Sequence, residues 1–263
     1  MNFRSVARDL WLLRTFKNGA GFVVGLRTGR FPSEAVFRDG YVIKHPPNLA
    51  GLAEVLIEVL HDQVYTPAWF YAPSPHDTIV DFGANVGVFS IGEARRNPTA
   101  QVIAVEAHPE IFRQLELNVA PFANRIQVLH AAVQGVEGSV QLDSPTVRSL
   151  DIRVSEQGVA SGSISVPAVN FSRILRLAGN GEIALLKCDI EGAEAPVFEG
   201  ASSEELSRVR NIALEYHDNI RPGTTARLWG VLGATHRLLH LADNCGCGIM
   251  LWKRQDLVSA PGC

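Results

Sequence analysis

The stretch that most constrains this chain runs from Thr78 to Ser90, T-I-V-D-F-G-A-N-V-G-V-F-S. Ile79 and Val80 are β-formers between the polar run Pro75-His76-Asp77 and the glycines, which predicts a short buried strand. Asp81-Phe82-Gly83-Ala84-Asn85-Val86-Gly87 follows, and then an apolar helix from Val88 to about Arg96. Strand, glycine turn and helix N-terminus together form a cradle for a nucleotide-like ligand. A dinucleotide fingerprint, G-x-G-x-x-G, needs its middle glycine where backbone approaches a pyrophosphate. Counting from Gly83, the second and third glycine positions hold Asn85 and Val88. A G-x-x-x-x-G-K-[ST] loop is absent too. Asp81 stands two residues before the first glycine, and a carboxylate aimed into the pocket would repel a pyrophosphate. It suits a ligand with an ammonium and a sulfonium, which describes S-adenosylmethionine.

The second half of such a cradle follows in place. Gln101–Ala107, Q-V-I-A-V-E-A, reads as another buried strand ending on Glu106. A strand-ending acid roughly 20 residues past the glycine turn is placed to accept two ribose hydroxyls.

Composition narrows the class. With 263 residues the chain is long enough for one large α/β domain with a sizeable core. A net charge of −3 leaves no general nucleic-acid footprint, so nucleic acid is not an expected partner. Cys188, Cys245, Cys247 and Cys263 are too few for a disulfide framework, and Cys245-Gly246-Cys247 reads as a turn between two strands before it reads as a metal or redox motif. No run of 18 apolar residues occurs, and Arg4, Arg8 and Arg14 interrupt any signal-like core, so a cytoplasmic location is the default expectation.

In chain order, Phe3, Val6, Ala7, Leu10, Leu13 and Phe16 follow helical spacing within a basic stretch. A helix docked on its own domain is the simpler reading, and peripheral contact with an anionic membrane or a partner is the alternative. Val36–Lys44 predicts a short hairpin turning at Asp39-Gly40, and Leu49–Gln63 a helix with Leu52, Val55, Leu56, Val59 and Leu60 on one stripe. The aromatic, proline-bearing segment Tyr65–Pro75 leads into the main domain, with a soft boundary near residue 72. Residues 1–71 form an N-terminal extension that could cap the acceptor site, and 72–263 the main domain.

Beyond Glu106, His108-Pro109-Glu110 opens a helix to about Asn118 with proline in its first turn. Strands are predicted at Ile126–Val133, Ser139–Leu142, Val166–Val169, Glu182–Asp189 and Val209–His217, and helices at Phe171–Ala178, from Pro196, and at Thr224–Leu232. Ser144–Gly162 lacks a period and reads as a loop, a candidate lid. His236–Leu241 and Gly248–Lys253 pair as a hairpin around Asn244-Cys245-Gly246. Strands alternating with helices imply a parallel sheet, with the terminal hairpin adding antiparallel strands at one edge.

Ligands of an open α/β sheet sit outside the carboxyl ends of its strands. Asp81, Glu106, Asp189, Glu215 and His217 all fall at such ends. Glu215 and His217, two apart on a strand, share a face, with Asp189 and Glu191 close by. This cluster can orient a hydroxyl and take its proton, with His217 as proton acceptor and Asp189 and Glu215 as catalytic partners. The same Asp189, Glu215 and His217 can instead hold a divalent metal such as Mg²⁺. A structural alternative pairs Glu191 with Lys187 and Glu215 with Arg210, and makes Glu194 a helix cap.

V-D-F-G-A-N-V-G-V-F-S, then V-I-A-V-E-A-H-P-E, L-L-K-C-D-I-E-G-A-E-A-P-V-F-E-G and I-A-L-E-Y-H together resemble the FkbM family of S-adenosylmethionine-dependent methyltransferases, over about residues 72–255. The Lys187–Glu194 segment is the specific part of that resemblance. It implies a Rossmann-like seven-stranded class I methyltransferase sheet and O-methylation of sugars, polyketides or other small molecules. It also implies cofactor contacts from Asp81, Gly83, Ala84, Asn85, Gly87, Glu106, Ala107, Ala132 and Asp189. One departure stands out: Asn170-Phe171-Ser172 replaces the family's usual T-L-D, which removes a carboxylate. The acidic strand mouth favours a glycosyl hydroxyl as acceptor, with a polyketide or peptide natural product as the alternative, and leaves oligomerisation open.

Overall fold

A computed structural model of the chain describes residues 3–46, 51–142 and 163–258. The loop expected over 144–162, the start of the helix expected from Leu49, and Cys263 lie outside these residues.

The chain begins with α1 (Phe3–Thr15) and α2 (Gly19–Thr28), then the hairpin β1 (Glu34–Val36) and β2 (Val42–Lys44). The short α3 (Leu52–Leu56) continues into a π-helical turn, Ile57–His61. The Rossmann-like part runs β3 (Thr78–Phe82), α4 (Val88–Arg96), β4 (Gln101–Glu106), α5 (Pro109–Val119) and β5 (Ile126–His130). Next come β6 (Ala132–Val133), β7 (Gly138–Leu142), β8 (Ile164–Val169), α6 (Phe171–Leu177), β9 (Leu185–Cys188), α7 (Glu194–Glu199) and α8 (Ser203–Leu206). The chain closes with β10 (Asn211–His217), α9 (Thr224–Leu232), β11 (His236–Asn244) and β12 (Cys247–Arg254).

Seven strands form one sheet in the order β11-β12-β10-β9-β3-β4-β5. β5, β4, β3, β9 and β10 are parallel, and the β11–β12 hairpin adds the antiparallel edge. The order reverses between β3 and β9, which places the ligand crevice of this fold at their carboxyl ends. β6, β8 and β7 form a separate three-stranded sheet.

Strand period 2 explains the two apolar layers. Ile79, Val102, Ala104 and Ala213 face one cluster, whereas Val80, Phe82, Ile103, Val105, Ile212 and Leu214 face the other. Both faces are covered, so the central strands read as near-continuous apolar runs. The first cluster reaches into the N-terminal extension: Leu12, Phe16, Phe22 and Ile43 are fully buried in it together with Ile79 and Ile91. Burying side chains of that size contributes about 1.5–3 kcal/mol each. Asn118 joins the two parts, accepting from the Lys44 backbone N–H (3.0 Å) and donating to the Lys44 and Val86 carbonyls (2.8 Å each).

Several local expectations are corrected. Helix α2 went unread because its glycines mask the period; Gly19 and Gly25 sit where a Cβ would strike the backbone of Leu12 or the ring of Phe31. Ile126–Val133 is two strands, since the chain leaves the large sheet at Ala131 to start the small one. The helix expected over Leu49–Gln63 is short and ends in the π turn. Cys245 and Gly246 both have positive φ and form a two-residue hairpin turn between Asn244 and Cys247, which accounts for the C-x-C. Among the described residues no helix is long and apolar enough to cross a membrane. Of the N-terminal arginines, Arg8 and Arg27 both pair with Asp9, while Leu10, Leu13 and Val24 are exposed.

Candidate active site

A cavity of about 390 Å³ opens at the β3/β9 switch point. Gly83, Ala84, Asn85, Glu106, Ala107 and Ala132 line one end, and Glu58, Tyr65, Asp189, Glu191, Glu215 and His217 the other.

The first end is built by the glycine turn. Gly83 has φ +73°, and a Cβ there would lie 1.8 Å from the Asp189 carbonyl oxygen, so β3 and β9 can close together only around a glycine. Asn85 also takes positive φ (51°) and accepts from Val86 N–H with its own side chain (2.7 Å). The Glu106 carboxylate, 8% exposed, accepts from the backbone N–H groups of Asn85 (2.9 Å) and His108 (2.7 Å). Burial raises its pKa while those hydrogen bonds hold it down. A carboxylate fixed by two backbone donors at the end of β4 keeps lone pairs for ligand hydroxyls. Small residues at Ala84, Ala107 and Ala132 leave room beside it, so this end fits an adenosyl group bearing ribose hydroxyls.

Two residues expected to touch the cofactor stand behind the cavity wall. Asp81 is fully buried; its Oδ2 accepts from Ser90 Oγ (2.7 Å), and Lys187 Nζ lies 3.3 Å from Oδ1. β3 and β9 pair Asp81 directly opposite Lys187, so the carboxylate meets a lysine rather than the ligand's ammonium. Gly87 (φ +92°) precedes α4 and packs against Leu115, Ile91 and Val119. It shapes the turn without lining the cavity.

Lys187 opens the specific segment named above but carried no expected role at the site. Its Nζ donates to the Gly83 carbonyl (2.7 Å) and lies 3.6 Å from Asp189 Oδ2, tying β9 to the glycine turn. Burial works against its charge, but Asp81 and Asp189 outweigh it and raise its pKa. The expected Glu191–Lys187 and Glu215–Arg210 pairs do not form; Arg210 binds Asp77 instead (2.6 Å). Glu58, from the N-terminal extension, was likewise missed as a site residue, because nothing local marks it as facing a sheet end. Tyr65 donates to Glu215 Oε2 (3.0 Å).

At the second end, the structure brings together three residues read from the sequence. One donor atom each from Asp189, Glu215 and His217 lies within 4.8 Å of the others. His217 Nδ1 is 2.8 Å from Glu194 Oε1, and its Nε2 is 3.5 Å from Glu191 and 3.8 Å from Glu215. Glu194 is therefore more than a helix cap, although its Oε1 also accepts from Gly192 N–H (2.9 Å). Burial pushes the Glu215 carboxyl up to about 7, with repulsion from Asp189 and Glu58 adding to it. For His217, burial favours the neutral ring, but the Glu194 hydrogen bond and the charges of Glu194, Glu191 and Asp189 prevail and raise it to about 9. The expected proton acceptor His217 thus has its Nδ1 already engaged by Glu194. Asn170 caps α6 by accepting from Arg173 N–H (3.0 Å), so the departure from T-L-D serves the helix.

Comparison with known proteins gives the context. The Methyltransferase FkbM domain matches residues 81–244. The 31-O-demethyl-FK506 methyltransferase FkbM of Streptomyces tacrolimicus is 24% identical over 55% of this chain and 66% of its own length. Methyltransferase sdnD of Sordaria araneosa is 28% identical over 57% of this chain and 71% of its own. The AMB antimetabolite synthetase AmbE of Pseudomonas aeruginosa is 29% identical over 68% of this chain, which spans only 10% of that protein's length. The crystal structure of a methyltransferase FkbM from Methylobacillus flagellatus superposes with a TM-score of 0.52 at 14% identity, covering 95% of this chain and 59% of that one.

Proposed function

Since the chain belongs to the FkbM methyltransferase family, we propose that it transfers a methyl group from S-adenosylmethionine to a hydroxyl of a small polyhydroxylated acceptor, a sugar or glycoconjugate. The observation that carries this reading is one cavity lined both by the glycine turn with the Glu106 carboxylate and by the carboxylates Asp189, Glu191 and Glu215.

The cofactor supplies a methyl group already activated by its sulfonium, so the protein's work is alignment and proton removal. Glu106 binds the ribose hydroxyls, and Gly83, Ala84 and Asn85 bring backbone close to the ligand. Lys187 keeps the ends of β3 and β9 in register with that turn. Asp189, Glu191 and Glu215 accept hydrogen bonds from acceptor hydroxyls and give the leaving proton a carboxylate to move to. Short charge-assisted bonds of this kind suit sugars and repel anionic acceptors. Tyr65, buried beside Glu215, supplies an apolar wall with one polar tip.

A second acceptor class is favoured by one relative: the S. tacrolimicus protein is a methyltransferase of 31-O-demethyl-FK506. A polyketide or peptide hydroxyl is therefore the alternative.

Calorimetry on the full chain tests the cofactor half. Micromolar binding of S-adenosylmethionine is expected, weakened at least tenfold in Glu106→Gln, which takes the charge out of the bonds to the ribose hydroxyls, roughly 1.5–3 kcal/mol per charge-assisted bond. No heat from a folded protein refutes it. Mass spectrometry of glycans and metabolites from wild-type and deletion strains tests the acceptor. Loss of a methyl confined to a non-sugar metabolite removes the sugar reading.

A further inference from the structure

We propose that Asp189, Glu215 and His217 hold a divalent metal ion of the Mg²⁺/Mn²⁺ class at the acceptor end of the cavity. Its use in catalysis rests on the methyl-transfer reading; its binding does not.

The convergence follows from topology. β9 and β10 are adjacent parallel strands with Cys188 opposite Leu214, so the next residues, Asp189 just past the end of β9 and Glu215 still within β10, stand side by side. His217 lies two further along β10 and shares Glu215's face. The three donor atoms lie within 4.8 Å of one another. Oxygen-rich sites place ligands roughly 2.0–2.6 Å from Ca²⁺ or Mg²⁺, so ligand atoms around one ion sit about 3–5 Å apart. The set already has that spread.

The imidazole supplies a second, independent sign. His217 is 5% exposed, and its Nδ1 is fixed by Glu194, itself fully buried. Its Nε2 lies on the cavity side, 3.5 Å from Glu191 and 3.8 Å from Glu215. A carboxylate behind one ring nitrogen, with the other nitrogen facing further carboxylates, is how proteins orient a metal-binding histidine. Binding displaces the proton from Nε2.

Charge agrees. Asp189, Glu191, Glu215 and Glu58 surround this end. Lys187 is shared between Asp81 (3.3 Å), the Gly83 carbonyl and Asp189 (3.6 Å), so it offsets only part of this negative charge. Two carboxylates and one imidazole form a hard, oxygen-weighted donor set, which selects Mg²⁺ or Mn²⁺ over thiophilic ions. An acceptor hydroxyl would complete the coordination.

The test titrates the full chain with Mn²⁺ alone, read by calorimetry and by loss of the free-ion EPR signal. One ion per chain is expected in the micromolar range, weakened at least tenfold in Asp189→Asn and separately in Glu215→Gln. Both side chains are partly exposed (29% and 25%), so neither variant endangers folding. Equal Mn²⁺ binding by wild type and both variants overturns the site. So does the absence of saturable binding in a chain that still binds S-adenosylmethionine, and that result leaves the methyltransferase reading standing.

Discussion

Replacing Gly83 by alanine tests whether the closure of β3 on β9 builds the cofactor cradle. The new Cβ would lie 1.8 Å from the Asp189 carbonyl oxygen and 2.9 Å from its carbon, both backbone atoms that no rotamer change can clear. Reaching even a tight contact of about 3.2 Å requires the two strand ends to part by roughly 1.4 Å. Overpacking of this kind costs about 1–3 kcal/mol. A non-glycine residue held at φ +73° adds roughly 1–2 kcal/mol. The sum, about 2–5 kcal/mol, corresponds to a fall in Tm of about 10 °C for a chain of this size. Because Asp189 moves with its carbonyl, affinity for S-adenosylmethionine should fall at least tenfold. Gly179→Ala is the control: it also has positive φ (+75°) but nothing within 4 Å, so it carries the conformational cost without the clash. Thermal unfolding followed by near-ultraviolet circular dichroism, with calorimetric cofactor titration, reads both effects. If Gly83→Ala melts no lower than Gly179→Ala and binds cofactor as wild type does, the wedge argument is wrong.

Asn118→Leu should cost about 2–4 kcal/mol in urea unfolding, since it strands the Lys44 N–H and removes a donor from the Lys44 and Val86 carbonyls; an unchanged midpoint would show that the extension docks without this bridge. Buried His236, whose Nε2 meets the Val209 carbonyl at 2.9 Å, has its pKa pushed below the ordinary 6.5 chiefly by burial. Its neutral form is the one the fold favours, so its stabilising contribution is complete above about pH 6.5 and declines as pH falls toward the lowered folded value. Urea midpoints measured from about pH 7 down to pH 5 should therefore drop more steeply in wild type than in His236→Gln, and parallel curves would refute the assignment.

Much of this site is legible in the chain. The turn Gly83-Ala84-Asn85, the acid Glu106 at the next strand end, and the pair Glu215/His217 all follow from strand period and glycine placement. These are local patterns, and the geometry preserves them: each of these residues lines the cavity. Asp81 was misread for a non-local reason. The sequence places a carboxylate before the glycine turn, but only the β3–β9 register puts Lys187 opposite it, and an ion pair satisfies the charge that a ligand was expected to satisfy. The partner of His217 was hidden for the same reason: Glu194 reaches its Nδ1 from the first turn of α7.

Composition and periodicity alone determine that this chain builds a doubly covered parallel sheet with a nucleotide-type turn, because alternation and glycine φ are properties of neighbouring residues. Tertiary structure alone decides which charges meet, that Glu58 and Tyr65 of the extension close the cavity, and that Asp189, Glu215 and His217 converge within 4.8 Å. Coulomb energy depends on distance and burial, and for residues far apart in the chain both are set by strand register and packing.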